Sequence, residues 1–293
     1  MRITQQMIQQ NSLRHMQQNL NRMDSIYNQL ASSKKLLKPS DDPSGVSKAL
    51  QLKSTIKANE QYKKNTNEAN LYLDESDQTI SGMVKVMQRV RDLALQASNG
   101  SNEEKDLKAI ASEVKELSEQ IRSFANTKVN GIYLFNGHKT NQAPYPESDS
   151  YLVDSFDTGA KNYTIAEGIV IKANVTADEL FGYSTDESNL FATLNKFVES
   201  LQSSGDIPLD EIDSSIDRLL TVQSEIGARK NRVDAISNRV EDINIELQSM
   251  LSKIEDIDYA EALTKYKSEE SIYQASLQAT ARVIQLSLMN FLK

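Results

Sequence analysis

"DRLLTVQSEIGARKNRVDAISNRVEDINIELQ", residues 217–248, carries a heptad repeat of apolar residues. The apolar positions alternate in steps of three and four, and one register holds Leu219, Val222, Ile226, Val233, Ile236, Val240, Ile243, Leu247, Met250, Ile254 and Ile257. One charged residue, Arg229, occupies the seam, the row of positions that faces a partner helix. Such a repeat predicts a coiled-coil helix. Because Gly227 is the only glycine or proline in residues 209–293, we expect one long helix there.

Three further segments show helical periodicity. The N-terminal segment places Leu13, Met16, Leu20, Met23, Tyr27, Leu30 and Leu37 on one seam, with Lys34 at a charged seam position. Residues 73–97 and 107–124 follow the same spacing and are joined by SNGSNEE, residues 98–104. Since Ser101 and Glu104 form a capping-box signature, these two segments are expected to form an antiparallel helical hairpin.

A proline-rich joint, KPSDDPSG at residues 38–45, separates the first helix from the second. Pro39 disfavours helical backbone at Lys38 and is expected to end the first helix. Ser40, Asp41 or Asp42 is expected to cap a second helix, whose first turn contains Pro43. The alternative is a metal or acid–base site at the two carboxylates, which is disfavoured because no histidine or further carboxylate is near them in the sequence.

The middle of the chain has strand chemistry. Asn130-Gly131 stands between apolar residues and predicts a two-residue hairpin turn. Residues 136–186 are predicted to be a small β-rich insert, and helix resumes at Leu190. The predicted fold is mainly α, an elongated antiparallel helical rod or coiled coil formed by the N- and C-terminal halves, with this insert between them. The predicted domains are a terminal helical assembly segment (1–40 and 259–293), a helical rod domain (41–135 and 187–258) and the β-rich insert (136–186).

Composition excludes several classes of function. The chain has no cysteine and only two histidines, His15 and His138, so thiol chemistry is excluded and a structural zinc site is disfavoured. No run of 18 apolar residues is present, and the first residues lack the apolar core of a secretory signal, so neither a membrane protein nor an ordinary Sec substrate is expected. A net charge of −8 disfavours nucleic-acid binding. We expect no catalytic, metal or cofactor site.

The two chain ends are predicted to form an assembly interface. From Leu277 onward the apolar residues no longer keep to one seam, so a two-helix pair cannot bury them all. Apolar surface left on several sides indicates contact with neighbouring subunits. The predicted interface residues are Leu13, Met16, Leu20, Met23, Leu30, Leu277, Ile284, Leu288, Phe291 and Leu292. The alternative, core packing of the C-terminal helix against the N-terminal helix, accounts for only some of them.

Both ends resemble the bacterial flagellin superfamily. The resemblance rests on SSKKLLKPSDDPSG (32–45), QRVRDLALQASNG (88–100), NGIYLFNG (130–137), IGARKNRVDAI (226–236) and YQASLQATARVIQLSLMNFL (273–292). Within the superfamily the start MRIT and the finish SLMNFLK are most similar to the hook–filament junction proteins. Gly-Gly is common in the superfamily where this chain has Asn136-Gly137.

The resemblance implies a structural, non-enzymatic component of the extracellular flagellum. A junction protein would form a ring of its own subunits between hook-associated protein 1 and the flagellin filament. It would be exported unfolded by the flagellar type III system and escorted by an export chaperone, with no cofactor, nucleic acid or membrane insertion involved. The alternative that the resemblance leaves open is a short flagellin that forms the filament itself.

Three other hypotheses concern single residues. Residues 87–100 resemble the flagellin segment recognised by an innate immune Toll-like receptor, which implies receptor contact at Arg89 and Arg91; the alternative is a solvated basic face. An enzyme or ligand site in the insert, near Tyr151, Tyr163 and Tyr183, is disfavoured because no nucleophile–base pair accompanies them. The sequon at Asn174 matters only in a glycosylating export route.

Overall fold

A computed structural model describes residues 5–99, 103–146, 157–182, 189–203 and 205–291, with side chains described at residue 7 and, within these ranges, from residue 10 to residue 281. Within these residues the helices are α1 (Gln5–Ser32), α2 (Pro43–Ala97), α3 (Glu104–Ala125), α4 (Ala177–Phe181), α5 (Leu190–Ser203), α6 (Leu209–Glu255) and α7 (Tyr259–Phe291). The strands are β1 (Lys128–Val129), β2 (Ile132–Tyr133), β3 (Asn162–Ala166) and β4 (Ile169–Lys172). The prediction of a mainly helical fold with a small β insert is confirmed.

The chain divides into two compact units, and both boundaries fall inside long helices. Unit 1 contains residues 1–58 and 244–293, and unit 2 contains residues 59–243. The boundaries therefore lie within α2 and α6, whereas the sequence analysis placed domain boundaries after residues 40 and 258. The elongated-rod domains predicted from the sequence stay a prediction, and the two units are described separately below.

Unit 2 is built on one apolar core shared by α2, α3, α5 and α6. The predicted seam of α6 is buried here, with Leu219, Ile226 and Val233 fully covered. The core continues into an aromatic cluster in which the ring of Tyr145 lies 5.3 Å from that of Phe181 and 4.3 Å from that of Phe191. Apolar burial on this scale stabilises the folded unit, because each Å² of apolar surface removed from water contributes about 25 cal/mol of free energy.

The hairpin predicted at Asn130-Gly131 is confirmed. Val129 pairs with Ile132 across the turn, and Asn130 (φ 53°) and Gly131 (φ 82°) both adopt positive φ. Such angles at both central residues define the turn that fits the twist of a β-hairpin, and Asn-Gly adopts them at low cost.

The insert contains less strand than the sequence predicted. Among its described residues only β3 and β4 are strands, and they form a two-stranded antiparallel hairpin followed by the one-turn helix α4. This hairpin packs on α2 of unit 2, where Asn65 Nδ2 donates to the carbonyl of Thr164 at 2.7 Å. The β-branched residues of the segment therefore lie partly in this hairpin and partly in buried coil. Val175, for example, is outside the strands and 1% exposed.

The predicted cap of α3 is wrong. Helix α3 begins at Glu104, and the capping box joins Glu103 to Asp106 rather than Ser101 to Glu104. Ser101 itself lies outside the described residues. Glu103 and Asp106 have the same spacing as the predicted pair, so the motif is present two residues later in the sequence.

Two helix ends in unit 1 also differ from the prediction. Helix α1 ends at Ser32, well before Pro39, and Ser33 adopts a positive φ of 60°. The C-terminal helix is not continuous, because α6 ends at Glu255 and α7 begins at Tyr259. The reason for both breaks lies in their mutual contact, which is part of the candidate site.

Candidate assembly surface

Helices α1 and α7 pack against each other in antiparallel orientation within unit 1. Asn19 Nδ2 donates to Ser276 Oγ at 2.9 Å, and Arg22 Nε lies 3.2 Å from both carboxylate oxygens of Glu269. Further along, the rings of Tyr27 and Tyr266 lie 6.5 Å apart. Residue numbers rise on α1 as they fall on α7, which establishes the direction of the pairing.

The contact between the two helices uses only part of the predicted row, because Met16, Met23 and Leu30 face the partner helix whereas Leu13, Leu20 and Tyr27 do not. The less exposed positions of α1 that follow the three- and four-residue spacing are Ser12, Met16, Asn19, Met23, Ile26 and Leu30. On α7 the positions with the same spacing are Ala262, Tyr266, Glu269, Tyr273, Ser276 and Thr280. The α1–α7 seam, defined by these two rows, is therefore rich in polar and small groups on its α7 side.

The large apolar side chains next to this seam point outward. Leu13 is 51% exposed, Leu20 36% and Tyr27 58% on α1, and α7 exposes Leu263, Ile272 and Leu277 to a similar degree. We call Leu13, Leu20, Leu263 and Leu277 the outer apolar row. Leu20 and Tyr27 also line a cleft of about 290 Å³ with Met23 and Tyr266. Exposed apolar surface of this kind is typical of protein–protein contact.

The predicted interface residues thus fall into three groups. Leu13, Leu20 and Leu277 are exposed, while Met16, Met23 and Leu30 are half-buried in the α1–α7 seam. The side chains of Ile284, Leu288 and Phe291, and the whole of Leu292, lie outside the described residues. Their role in assembly stays a prediction.

The two helix breaks of unit 1 are held together by backbone hydrogen bonds. Lys35 N donates to the carbonyl of Glu255 at 2.6 Å, and Ile257 N donates to the carbonyl of Ser33 at 3.2 Å, which forms a bridge between Lys34 and Asp256. We call this feature the paired break. The Lys34 that did not fit the N-terminal heptad therefore lies outside helix α1.

Glu255 is the electrostatic centre of the paired break. Its side chain is 10% exposed and receives Lys34 Nζ at 3.1 Å and a second, closer ammonium group from Lys53. Burial alone would raise the pKa of Glu255, but the hydrogen bonds from Lys53 and Lys34 outweigh burial and hold the pKa below its ordinary value. The carboxylate is therefore charged at neutral pH and compensated by two cations.

Side-chain caps complete the joint on each chain segment. Asp42 Oδ1 accepts from Ser44 N at 3.1 Å and caps α2 above Pro43, whereas Asp41 Oδ2 accepts from Lys38 N at 2.8 Å and stabilises the preceding turn. Ser40 lies in that turn. On the other segment Asp258 Oδ1 accepts from Ala260 N at 2.9 Å and caps α7. Asp258 followed three residues later by Glu261 is a capping signal that the sequence analysis missed.

Polar pairs link α2 to α6 along unit 2. Lys230 Nζ lies 2.5 Å from Asp74 Oδ1, and Arg91 Nε lies 2.5 Å from Asp213 Oδ1. Arg89 pairs with Glu113 of α3 at 2.7 Å. Both side chains remain solvent-exposed, Arg89 at 53% and Arg91 at 42%, while each guanidinium pairs with a carboxylate of a neighbouring helix. Receptor contact at these residues stays a hypothesis.

The other candidate sites lie in the insert. Tyr151 and Tyr183 are outside the described residues, and Tyr163 packs near Tyr72, whose ring Lys161 Nζ approaches to 3.9 Å. Asn174 is 3% exposed; its Nδ2 donates to the carbonyl of Gly159 at 2.8 Å, so the sequon is inaccessible in this fold.

The described residues contain neither a group of metal ligands nor a membrane-spanning helix. No three His, Asp or Glu side chains come together there as metal ligands. None of the helices, over the same residues, is long and apolar enough to span a membrane.

Comparison with known proteins identifies the family. The bacterial flagellin N-terminal helical region matches residues 3–140, and the bacterial flagellin C-terminal helical region matches residues 209–292. Flagellar hook-associated protein 3 of Escherichia coli is 25% identical over 319 residues, with 100% of both chains covered. Flagellin of Bacillus subtilis is 24% identical, with 97% of both chains covered.

Solved structures share the fold. A flagellar hook-associated protein from Vibrio parahaemolyticus superposes with a TM-score of 0.65 at 23% identity, covering 74% of this chain and 100% of that one. FlgL of Bacillus cereus gives a TM-score of 0.58 at 24% identity, covering 69% of this chain and 99% of that one. Since the two flagellin regions together match most of the sequence, at the same ends that carry α1, α2, α6 and α7, the chain belongs to the bacterial flagellin family.

Proposed function

We propose that this chain is a structural subunit of the bacterial flagellum at the junction between the hook and the filament. The observation that carries the proposal is its alignment over 98–100% of its length with two proteins named flagellar hook-associated protein 3, from Escherichia coli and Salmonella typhimurium. In this role the chain would join hook-associated protein 1 on one side to flagellin on the other. We propose no enzymatic activity and no cofactor, since the relatives are structural flagellar proteins.

The outer apolar row supports a role in subunit contacts. Exposed leucines on both helices of unit 1 would be removed from water on contact with a neighbouring subunit. This burial stabilises the contact by about 25 cal/mol per Å² of apolar surface, before the entropy cost of ordering the partners is subtracted. The neighbours we propose are other copies of this chain, arranged as a ring, together with hook-associated protein 1 and flagellin.

Location and export follow from the same proposal. The subunit would leave the cell unfolded through the flagellar type III system, accompanied by a cytoplasmic export chaperone that covers the apolar terminal residues. The absence of cysteine supports this route, because an unfolded chain without thiols cannot form wrong disulfides outside the cell.

A second candidate function is that of a short flagellin. It is favoured by the flagellin of Bacillus subtilis, which matches at nearly the same identity over 97% of both chains. A flagellin must polymerise with itself without limit, whereas a junction subunit stops after a thin layer and then accepts a different protein.

Seeded assembly tests the two candidates. Purified chain is added to filament fragments and, separately, to hooks that carry hook-associated protein 1, and growth is followed by light scattering and electron microscopy. We expect a thin cap on the hooks that then accepts flagellin, with no self-elongation. Micrometre-long filaments of this chain alone would instead identify a flagellin, and failure on both seeds would contradict both functions.

A further inference from the structure

The chain contains three Asn-Gly pairs, which begin at residues 99, 130 and 136. Gly100 lies outside the described residues, whereas Asn130-Gly131 and Asn136-Gly137 are both described and stand in one short segment. Asparagine before glycine is chemically labile, because glycine has no Cβ to hinder attack of its backbone nitrogen on the asparagine side chain. In a folded protein the rate of that attack depends on how firmly each pair is held.

Asn130 and Gly131 lie in the exposed turn of the β1–β2 hairpin, where little restrains them. A Cβ added at Gly131 meets no atom within 4 Å, so the space around its backbone is open. Each strand of the hairpin is two residues long, and so short a hairpin opens at little cost. Opening lets the Asn130 backbone rotate and bring Gly131 N onto Asn130 Cγ.

Asn136 is held in the opposite way. It is 5% exposed, its Nδ2 donates to the carbonyl of Gln142 at 3.0 Å, and its Oδ1 accepts from Asp157 N at 3.4 Å. A Cβ added at Gly137 would lie 2.3 Å from the carbonyl oxygen of Asp157, so the space beside this glycine is filled. Attack at Asn136 therefore requires two hydrogen bonds to break and the neighbouring segment to move away.

We propose that Asn130 is a site of spontaneous deamidation and that the fold protects Asn136 from the same reaction. Gly131 N attacks Asn130 Cγ and gives up its proton to water, and the bond from Cγ to Nδ2 breaks to release ammonia. Water then opens the resulting succinimide ring at either carbonyl, which leaves aspartate or isoaspartate. The net reaction consumes one water and releases one ammonia.

The two products have different effects on the hairpin. Asp-Gly adopts positive φ at both central residues as Asn-Gly does, so aspartate keeps the turn. Isoaspartate adds a carbon to the backbone between Val129 and Gly131, so the two-residue turn no longer closes. The hydrogen bond from Leu134 N to the carbonyl of Thr127, 3.0 Å long, should then be lost. Accumulation of isoaspartate with the age of a flagellum rests on the proposed function; the reactivity of Asn130 does not.

The test follows both sites in one peptide of the full-length chain. The folded protein is incubated for weeks in mildly alkaline buffer and briefly digested with trypsin, and cleavage after Lys128 and Lys139 gives residues 129–139 with both pairs. Fragmentation in a mass spectrometer assigns the converted asparagine. We expect Asn130 to convert at least about tenfold faster than Asn136, because two hydrogen bonds must first break at Asn136.

Two controls separate the fold from the local sequence and isoaspartate from added charge. In urea the protection of Asn136 is removed, so both sites should convert at similar rates. The variant Asn130→Asp carries the charge of the products without the extra backbone carbon. Hydrogen exchange at residues 132–134 should match the parent in this variant and be faster in the fraction of aged protein that contains isoaspartate.

Three outcomes would overturn the proposal: equal conversion of both sites in the folded protein, no conversion of folded Asn130, or the same preference for Asn130 in urea. The measurement uses no hooks or filaments, so its failure is distinguishable from failure of the proposed function in seeded assembly.

Discussion

At the scale of single residues, Glu255 joins three chain segments through one carboxylate. It accepts hydrogen bonds from Lys34 and Lys53 through its side chain and from Lys35 N through its carbonyl. A buried carboxylate with two ammonium partners is stabilising only while it is charged, because protonation or amide substitution leaves excess positive charge near the site.

Glu255→Gln should lower the free energy of unfolding by about 1–3 kcal/mol at pH 7, the cost of losing hydrogen bonds to a charged group. The folded-state pKa of Glu255 lies below its ordinary value, so its contribution is present above the unfolded pKa and is lost as pH falls through the folded pKa. The difference in free energy of unfolding between the parent and Glu255→Gln should therefore disappear as the pH is lowered. Urea unfolding at several pH values measures it.

The matched control for this prediction is Glu246→Gln, an exposed glutamate on the same helix. It should change the free energy of unfolding by less than about 0.5 kcal/mol. An equal loss in both variants would show that the effect comes from the charge of α6 as a whole and not from the paired break.

At the scale of helices, two glycines in helix interiors have opposite surroundings. A Cβ added at Gly227 of α6 meets no atom within 4 Å, whereas one added at Gly82 of α2 lies 2.9 Å from Cζ of Phe124. Gly82 therefore permits close approach of the Phe124 ring to α2, and Gly227 has no such use within the described part of the chain.

Gly227→Ala should raise the free energy of unfolding by about 0.5–1 kcal/mol, because alanine loses less backbone entropy in a helix. Gly82→Ala should lower it by about 1–3 kcal/mol, since the added methyl group overpacks the core beside Phe124. Thermal unfolding followed by circular dichroism measures both. A loss of stability in Gly227→Ala would contradict the open space seen at that residue.

The helices themselves could be predicted from the sequence because the apolar spacing that specifies each helix lies within that helix. The seam of α6 in unit 2 follows directly from the heptad spacing of Leu219, Ile226 and Val233, which are buried as that spacing requires. The turn at Asn130-Gly131 was equally predictable, since a hairpin turn with positive φ at both central residues favours this dipeptide.

The end of α6 could not be predicted in the same way. Residues 255–258, Glu-Asp-Ile-Asp, contain neither glycine nor proline, and the apolar spacing continues through Ile257. The break is held by hydrogen bonds to Ser33 and Lys35, more than two hundred residues away, which local propensity does not include. For the same reason the apolar residues Leu13 and Leu20 were placed on the seam, although Asn19 occupies it.

At the scale of the whole molecule, assembly should depend on the outer apolar row and folding should not. The double variant Leu13→Asp, Leu20→Asp adds charge where both leucines are exposed, at 51% and 36%. We expect at least a tenfold fall in the amount bound to hooks that carry hook-associated protein 1, because burying a carboxylate without a partner opposes contact. The free energy of unfolding should change by less than about 1 kcal/mol.

The charge-matched control is Asn11→Asp, Gln18→Asp, which alters two exposed polar residues of the same helix. It should bind hooks as the parent does. Equal loss of binding in the control would indicate that negative charge on α1 is repelled in general, and equal binding by both variants would contradict a role for the outer apolar row.

The paired break also gives unit 1 a defined path for mechanical load. A pull on α1 can reach α2 through the connector of residues 33–42, or α6 directly through the two backbone hydrogen bonds at Lys35 and Ile257. These bonds lie side by side between antiparallel segments, so tension along the chain shears both together instead of peeling them one after the other. The bridge therefore transmits force across the helix ends before the connector is stretched, which suits a subunit of a rotating appendage.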